Sequence, residues 1–168
     1  KEIKTVNPPK LYDLTTLQRE ANKQFGYTAQ QTLDYLQALY EAKLSTYPRT
    51  DSQYLSSDME QTAKDMIRHV YSVFTDFGTA PADPDVKRCI NNKKVTGHHA
   101  IIPTANITTA DLSSLPEGQK NILKLISAKL IMATSEPHKY EAVKVKISCE
   151  SNDFSAKGKT VIEDGWKA

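Results

Sequence analysis

Cysteine is scarce in this chain of 168 residues: there are two, Cys89 and Cys149. They stand far apart and outside any C-x-x-C spacing, which excludes a disulfide framework and the usual zinc ligand sets and suits a reducing compartment. No run approaches the roughly 18 apolar residues of a membrane span, and no signal peptide opens the chain, so a cytoplasmic protein without a membrane partner is expected. A large excess of one charge is also missing. Lys and Arg number 22 against 20 Asp and Glu, a formal net charge of +2, so the surface as a whole is no polyanion trap and any nucleic-acid function must come from a local site. There is no Walker-type phosphate loop, no G-x-S-x-G, no internal repeat and no low-complexity segment. What is present is 39% apolar and 25% charged residues at a mean hydropathy of -0.53, enough for a core and free of a disorder signature. The length fits one domain, or one domain plus part of another. The chain starts at Lys1 without an initiator Met and ends at Trp166-Lys-Ala after a strand-like run, as an excised piece of a longer protein would.

Residues 1–12 are polar, and Pro8-Pro9 disfavours helix, so they read as an extended strand or linker. Thr15-Thr-Leu-Gln18 has the form of a capping box ahead of Leu17, Ala21 and Gln24, with Gly26 as the stop. Thr28-Ala-Gln-Gln31 is a second box, opening a stripe of Leu33, Leu36 and Tyr40 that runs to about Lys43. Ser57-Asp-Met-Glu60 is a third, ahead of Ala63, Met66, Ile67, Val70, Tyr71 and Phe74. Residues 78–106 hold Gly78, Pro81, Pro84, Gly97 and Pro103 with little periodicity and predict a long loop region of functional interest. Ser114-Leu-Pro-Glu117 predicts a fourth helix to about Ser135 along Ile122, Leu123, Ile126, Leu130 and Ile131. Val143, Val145, Ile147 and Cys149 then alternate with Lys144, Lys146 and Ser148, the period of a half-buried strand. Ser151-Asn-Asp153 reads as a turn, and Phe154 to Ile162 as the return strand. The predicted class is α+β, mainly α-helical, with a C-terminal β-hairpin.

Two constellations can carry chemistry. In Leu44-Ser-Thr-Tyr-Pro-Arg-Thr-Asp-Ser52, Tyr47 is a possible nucleophile on a loop. Its ordinary pKa near 10 demands a base or a cation that stabilises the phenolate. Arg49 lies two residues on and can fork onto phosphodiester oxygens. Thr46, Thr50 and Ser52 add hydroxyls, and Asp51 can hold Arg49 or cap the next segment. Without further context the bland alternative is a turn with an exposed aromatic and an ion pair. In Lys93-Lys-Val-Thr-Gly-His-His-Ala-Ile-Ile-Pro-Thr104, His98 and His99 suit donation to phosphate or proton transfer near neutral pH. With Lys87 and Arg88, Lys93 and Lys94 form the densest basic cluster, a candidate contact to backbone phosphates; the alternative is a solvated loop with one His packed beneath it. A zinc site from Cys89, His98 and His99 matches no usual spacing. Asp83-Pro-Asp85 reads as loop solvation rather than a Mg²⁺ site, so no metal ligands are assigned. Asn106-Ile-Thr108 is a glycosylation sequon by spelling only.

Taken together, these segments resemble the type IA DNA topoisomerases. Gln37-Ala-Leu-Tyr-Glu-Ala42 followed by Thr46-Tyr-Pro-Arg-Thr-Asp-Ser52 is similar to that family's active-site tyrosine segment, and Gly97-His-His-Ala-Ile-Ile-Pro-Thr104 to its second signature. Order and separation agree. Tyr-Pro-Arg and the doubled His resemble the topoisomerase III branch more than topoisomerase I. The likeness runs from Leu11-Tyr-Asp-Leu to Asp164-Gly-Trp166, nearly the whole chain.

The resemblance implies that Tyr47 attacks a phosphodiester of single-stranded DNA and becomes linked to the 5′ phosphate. Another strand passes, and the freed 3′ hydroxyl reseals the break without ATP. It implies catalytic roles for Tyr47, Arg49 and His98, and DNA contacts for Gln37, Thr46, Thr50, Ser52, Lys93, Lys94 and His99. Mg²⁺ is implied in the full enzyme, held by a Toprim domain that nothing in this sequence matches, so the isolated piece is expected to be inactive. Single-stranded DNA and the Toprim domain of the same parent are the implied partners, a RecQ-type helicase is a further candidate, and the setting is the nucleoid-associated cytoplasm. Residues 1–12 and 138–168 resemble strands of the family's arch domain, residues 13–137 its helical tyrosine-bearing domain, with hinges expected near 8–14 and 135–141. Two rivals stand beside this reading: a non-catalytic helical module that holds single-stranded DNA with Tyr47 stacked on a base, and a tyrosine recombinase piece, whose tyrosine would lie near the C-terminus rather than at position 47.

Overall fold

Asp13 decides where the first helix begins. In the computed structural model, which describes residues 1–81 and 83–168, the Asp13 carboxylate accepts from the Thr16 amide at 2.7 Å and the Thr16 hydroxyl accepts from the Asp13 amide at 3.2 Å. This reciprocal cap starts α1, Leu14–Phe25, two residues before the box expected at Thr15. Asp caps better than Thr, and its carboxylate also favours the positive end of the helix dipole. Gly26 ends α1 with φ +72, a backbone that glycine adopts without a Cβ clash. The Thr28/Gln31 box is present and opens α2, Ala29–Glu41. The third box is not. Ser57–Met59 form a 3-10 turn, the Ser57 amide is held by Asn92 Oδ1 at 2.7 Å, and α3, Glu60–Val73, follows without a side-chain cap. Pro116 precedes α4, Glu117–Ala133.

Two units divide the chain, one of residues 9–134 and one of residues 1–8 with 135–168. In the first, α4 packs against α1, α2 and α3 and is buried nearly all round, at Ile122, Leu123, Leu125, Ile126, Leu130 and Ala133. Leu17 and Ala21 of α1, Leu36 and Leu39 of α2, and Ala63, Met66, Ile67 and Val70 of α3 complete that core. Each fully buried Leu or Ile contributes about 1.5–3 kcal/mol. At the start of α4 the helices come so close that a Cβ on Gly118 would stand 2.3 Å from Tyr35 Cζ. Parts of the long irregular stretch, and the turn after it, also reach the core: Val86, Cys89, Ala100, Ile101, Ile102 and Ile107 are all buried. Val86 and Cys89 enter the core from the 3-10 turn Val86–Cys89, Ile107 from the turn Ala105–Thr108, and Ala100, Ile101 and Ile102 as one short consecutive run, so no helical or strand period marks them.

The second unit is an antiparallel sheet in the order β1, Glu2–Val6, then β2, His138–Cys149, then β3, Asn152–Glu163. Ile3 pairs with Glu141, and Val145 with Ala156. The hairpin turn falls on Glu150-Ser151, with Glu150 at φ +53, one residue earlier than expected. The half-buried strand pattern is not realised. Val145, Ile147, Phe154, Val161 and Ile162 are each about half exposed, because only the end of the hairpin near β1 carries partly covered residues. At the C-terminus Gly165 turns at φ +54, where a Cβ would lie 2.4 Å from the Pro137 carbonyl oxygen. The Trp166 amide donates to Glu136 O at 2.9 Å and its indole Nε1 to Val6 O at 3.0 Å, which pins the end of the chain to the sheet.

Candidate active site

Two irregular segments, residues 44–55 and 95–104, run side by side, and their backbones hold each other. Thr46 N donates to Ile102 O at 3.0 Å, Thr104 N to Leu44 O at 3.0 Å, and Ala100 N to Tyr54 O at 2.9 Å. Ser45 and Pro103 face each other between the first two of these bonds, a position where proline's missing N–H leaves no ladder bond unmade. Side chains add rungs. Thr46 Oγ1 accepts from Ile102 N at 3.0 Å; Thr50 Oγ1 donates to His98 O at 2.9 Å; Ser52 Oγ donates to Lys94 O at 2.7 Å. Thr50 and Ser52 are buried. The three hydroxyls expected at a DNA surface therefore join the Tyr47 segment to the His98 segment.

That frame brings Tyr47 and His98 together. Their rings lie 4.0 Å apart, centroid to centroid, tilted by 31°. Tyr40, at the end of α2, meets Tyr47 edge to face at 5.5 Å. Each such ring pair contributes about 0.5–1.5 kcal/mol beyond area burial. Tyr40 was expected to pack in the α2 stripe; it is instead 39% exposed, and its use is to wall the Tyr47 ring. The only sequence signal for this is its place at the last turn of α2, beside the Tyr47 loop. Tyr47 is half-buried, Pro48 buried, Arg49 exposed and Thr50 buried, an alternation that anchors the segment on both sides of Arg49 and leaves the guanidinium in solvent. Arg49 makes no ion pair among the described residues, so Asp51 does not hold it. An exposed imidazole, a half-buried phenol and an uncommitted guanidinium on one frame can attend one phosphate.

The remaining expected contacts lie further out. Gln37 on α2 donates to Glu41 of the same helix at 3.0 Å. His99 Nδ1 is 2.7 Å from Ala100 O. The Asp58 carboxyl is held below its ordinary range chiefly by the Ser56 hydroxyl, with a smaller contribution from His99. Lys93 and Lys94 are exposed on a 3-10 turn, Asn92–Lys94. Arg88 pairs with Asp85 at 3.0 Å. Among the described residues no three His, Cys, Asp or Glu side chains come together as a cation site. Cys89 is buried and its thiol, donating to Ala133 O, is pushed up to about 11 by burial, the opposite of what a thiolate ligand needs. Among the described residues no helix is long and apolar enough to cross a membrane.

A family profile described as DNA topoisomerase matches residues 1–168, and the chain belongs to that family, in its type IA division. Several of its curated relatives carry the name DNA topoisomerase 3. It is 42% identical over 165 residues to DNA topoisomerase 3 of Bacillus subtilis (strain 168), covering 95% of this chain and 22% of that protein. It is 38% identical over 175 residues to DNA topoisomerase 3 of Shouchella clausii (strain KSM-K16), covering 99% and 23%. The chain thus spans about a quarter or less of the length of these relatives. Among solved structures, full-length topoisomerase I from Thermotoga maritima shares the fold at a TM-score of 0.75 and 24% identity, over 99% of this chain and 27% of that one.

Proposed function

We propose that this chain is the nucleophile-bearing part of a topoisomerase III-like enzyme and that Tyr47 forms the transient bond to DNA. The observation that carries the reading is the stack of His98 on Tyr47 within a frame that leaves Arg49 in solvent and without an ion pair among the described residues. In the proposed step Tyr47 Oη gives up its proton to water and attacks phosphorus in a single strand. The new bond is Oη–P, the P–O3′ bond breaks, and the departing 3′ oxygen takes a proton. The product is a 5′-phosphotyrosyl linkage and a free 3′ hydroxyl. One phosphodiester is exchanged for another, so the hydroxyl reverses the step after strand passage without ATP. Arg49 forks onto the non-bridging oxygens and offsets the charge that grows in the transition state, and His98 donates to the same phosphate. Holding these groups on paired backbone supplies orientation. Gln37, Lys93, Lys94 and His99 are assigned to the flanking strand.

The Mg²⁺ that the family resemblance implies has no ligand set among the described residues of this chain; the proposal assigns it to a Toprim domain elsewhere in the parent, and no step here runs through it. A RecQ-type helicase partner and a nucleoid setting belong to the same proposal. The chain crosses between its two units at residues 8–9 and 134–135, beside Pro8, Pro9 and Pro137, and gate opening is proposed to be absorbed there. The test is labelled single-stranded DNA with Mg²⁺, this chain and a separately produced Toprim portion of its parent, resolved on a denaturing gel. A band that needs both pieces and disappears in Tyr47→Phe supports the reading. DNA retention with no covalent band refutes it in favour of a binding module.

A further inference from the structure

Beside the reactive loop lies an aromatic ring attended by two ammonium groups that the cleavage step does not use. Lys10 Nζ stands 5.4 Å and Lys94 Nζ 5.6 Å from the centroid of the Tyr54 ring. The three side chains line an open, mainly polar cavity of about 290 Å³ together with Asp13, Asp51 and Gln53, at the small end of ligand pockets. The backbone beneath it is the frame that holds Tyr47 and His98. Tyr54 O accepts from Ala100 N at 2.9 Å, Tyr54 N donates to Ser52 Oγ at 3.2 Å, and the same hydroxyl donates to Lys94 O at 2.7 Å. The main chain of Tyr54 and Lys94 is thus fixed while the ring is half-buried and the ammonium is in solvent.

We propose that Tyr54, Lys10 and Lys94 form a subsite for one nucleotide of the single strand, its base stacked on the Tyr54 ring and its flanking phosphates taken by the two lysines. The inference rests on the reading of this chain as a single-strand DNA-cutting domain. Three features select a nucleotide over a lone anion. The cavity carries two carboxylates beside its two ammonium groups, which weakens it for free phosphate. Asp13 is already engaged by Gln53 Nε2 at 3.1 Å and by the α1 cap, but Asp51 is exposed and can accept from a base edge. The ring supplies the stacking platform that single-strand sites use, where basic groups follow the backbone and aromatics take the bases. Without DNA the ammonium groups rest over the ring, a weak attraction at an exposed site. A phosphate offers each a stronger partner, and its departure uncovers the ring face.

The test measures fluorescence anisotropy of a labelled oligothymidylate across a salt series, with the whole chain and its Tyr54→Ala, Tyr54→Phe, Lys10→Gln and Lys94→Gln variants, each checked for native circular dichroism. Tyr54→Ala is expected to weaken binding about 5- to 150-fold, the span of one lost base–aromatic stack, with the salt slope unchanged. Tyr54→Phe keeps the ring and binds like the parent. Each Lys→Gln change lowers the salt slope by about 0.7. An abasic nucleotide walked through the strand should reach one position at which Tyr54→Ala costs nothing further. The proposal is overturned if Tyr54→Ala binds like the parent, if Tyr54→Phe loses as much as Tyr54→Ala, if no abasic position absorbs the loss, or if the parent chain retains no DNA. Failure here is separable from failure of the cleavage reading. A Tyr47 adduct with an indifferent Tyr54 sinks only the subsite, whereas Tyr54-dependent binding without an adduct sinks only the nucleophile.

Discussion

Thr50→Val is the sharpest perturbation of the frame that holds the Tyr47 and His98 rings. Val keeps the shape of Thr and removes the hydroxyl, which donates to His98 O at 2.9 Å and accepts from Ser52 N at 3.1 Å. The two losses differ. The His98 carbonyl belongs to an exposed residue and can turn to water, so its lost bond costs about 0.5–1.5 kcal/mol. Ser52 is 3% exposed, and its stranded N–H costs about 1–3 kcal/mol. The sum is about 1.5–4.5 kcal/mol. For a domain of this size each kcal/mol moves the melting temperature by about 3–5 °C, so Thr50→Val should melt about 5–22 °C lower by circular dichroism. The ring contact should loosen with it, seen as loss of the nuclear Overhauser effect between Tyr47 and His98 at a temperature where the variant is still folded. Thr50→Ser keeps the hydroxyl and should stay near the parent in both measurements. A Val variant that melts with the parent, or a Ser variant as damaged as Val, would refute the claim that this hydroxyl ties the two segments.

Gly118→Ala places a methyl 2.3 Å from the Tyr35 ring and should destabilise by about 1–3 kcal/mol through overpacking, read as a lower urea midpoint, with Tyr35→Ala in the same chain returning part of the loss. Gly165→Ala meets the Pro137 carbonyl at φ +54; faster amide exchange at Trp166 and Val6, with the helical amides unchanged, is the expected signature. Cys149, exposed, should react with an aromatic disulfide reagent at once, whereas Cys89, buried and raised to about 11, should react only on unfolding; two fast thiols would contradict the packing. The Asp76 carboxyl is lowered chiefly by its bond to Lys124. Its stabilising effect is therefore present above the unfolded-state pKa and fades as pH falls through the lower folded value. Lys124→Gln should raise the Asp76 midpoint in a carbon-detected NMR titration, and an unmoved midpoint would show the pair to be idle.

Much of the helical half was legible because cap chemistry and a 3.6-residue stripe are local. Thr28/Gln31, Gly26 and the α3 and α4 stripes needed only neighbours in sequence. Where boundaries moved, a better or more distant partner had won: Asp13 over Thr15 at α1, and Asn92, 35 residues away, over Glu60 for Ser57. The segment 78–106 was legible as irregular but not as core, since Val86 and Cys89 enter from one 3-10 turn and Ala100 to Ile102 as a three-residue run too short to show a period. Alternation in β2 announced a strand correctly, yet alternation cannot say whether anything covers the face, and Val145 and Ile147 remain exposed. At the site, residue types drew attention to Tyr47 and His98, but their contact depends on hydroxyl-to-carbonyl and backbone bonds some 48 to 56 residues apart, which leave no pattern in sequence; only the family resemblance joined the two segments. Tyr40 and Tyr54 were missed for the opposite reason, since a tyrosine in a helical stripe or an ordinary loop looks like packing.

The most direct test of the central claim is to identify the modified residue. Single-stranded DNA, Mg²⁺, this chain and the Toprim portion of its parent are mixed, the reaction is stopped with denaturant, protein and DNA are digested, and the cross-linked peptide is sequenced by mass spectrometry. One modified peptide is expected, spanning Leu44 to Ser52, with a nucleotide joined through its 5′ phosphate to Tyr47. A nucleotide on another side chain, a linkage through a 3′ phosphate, or DNA held without any modified peptide would contradict it.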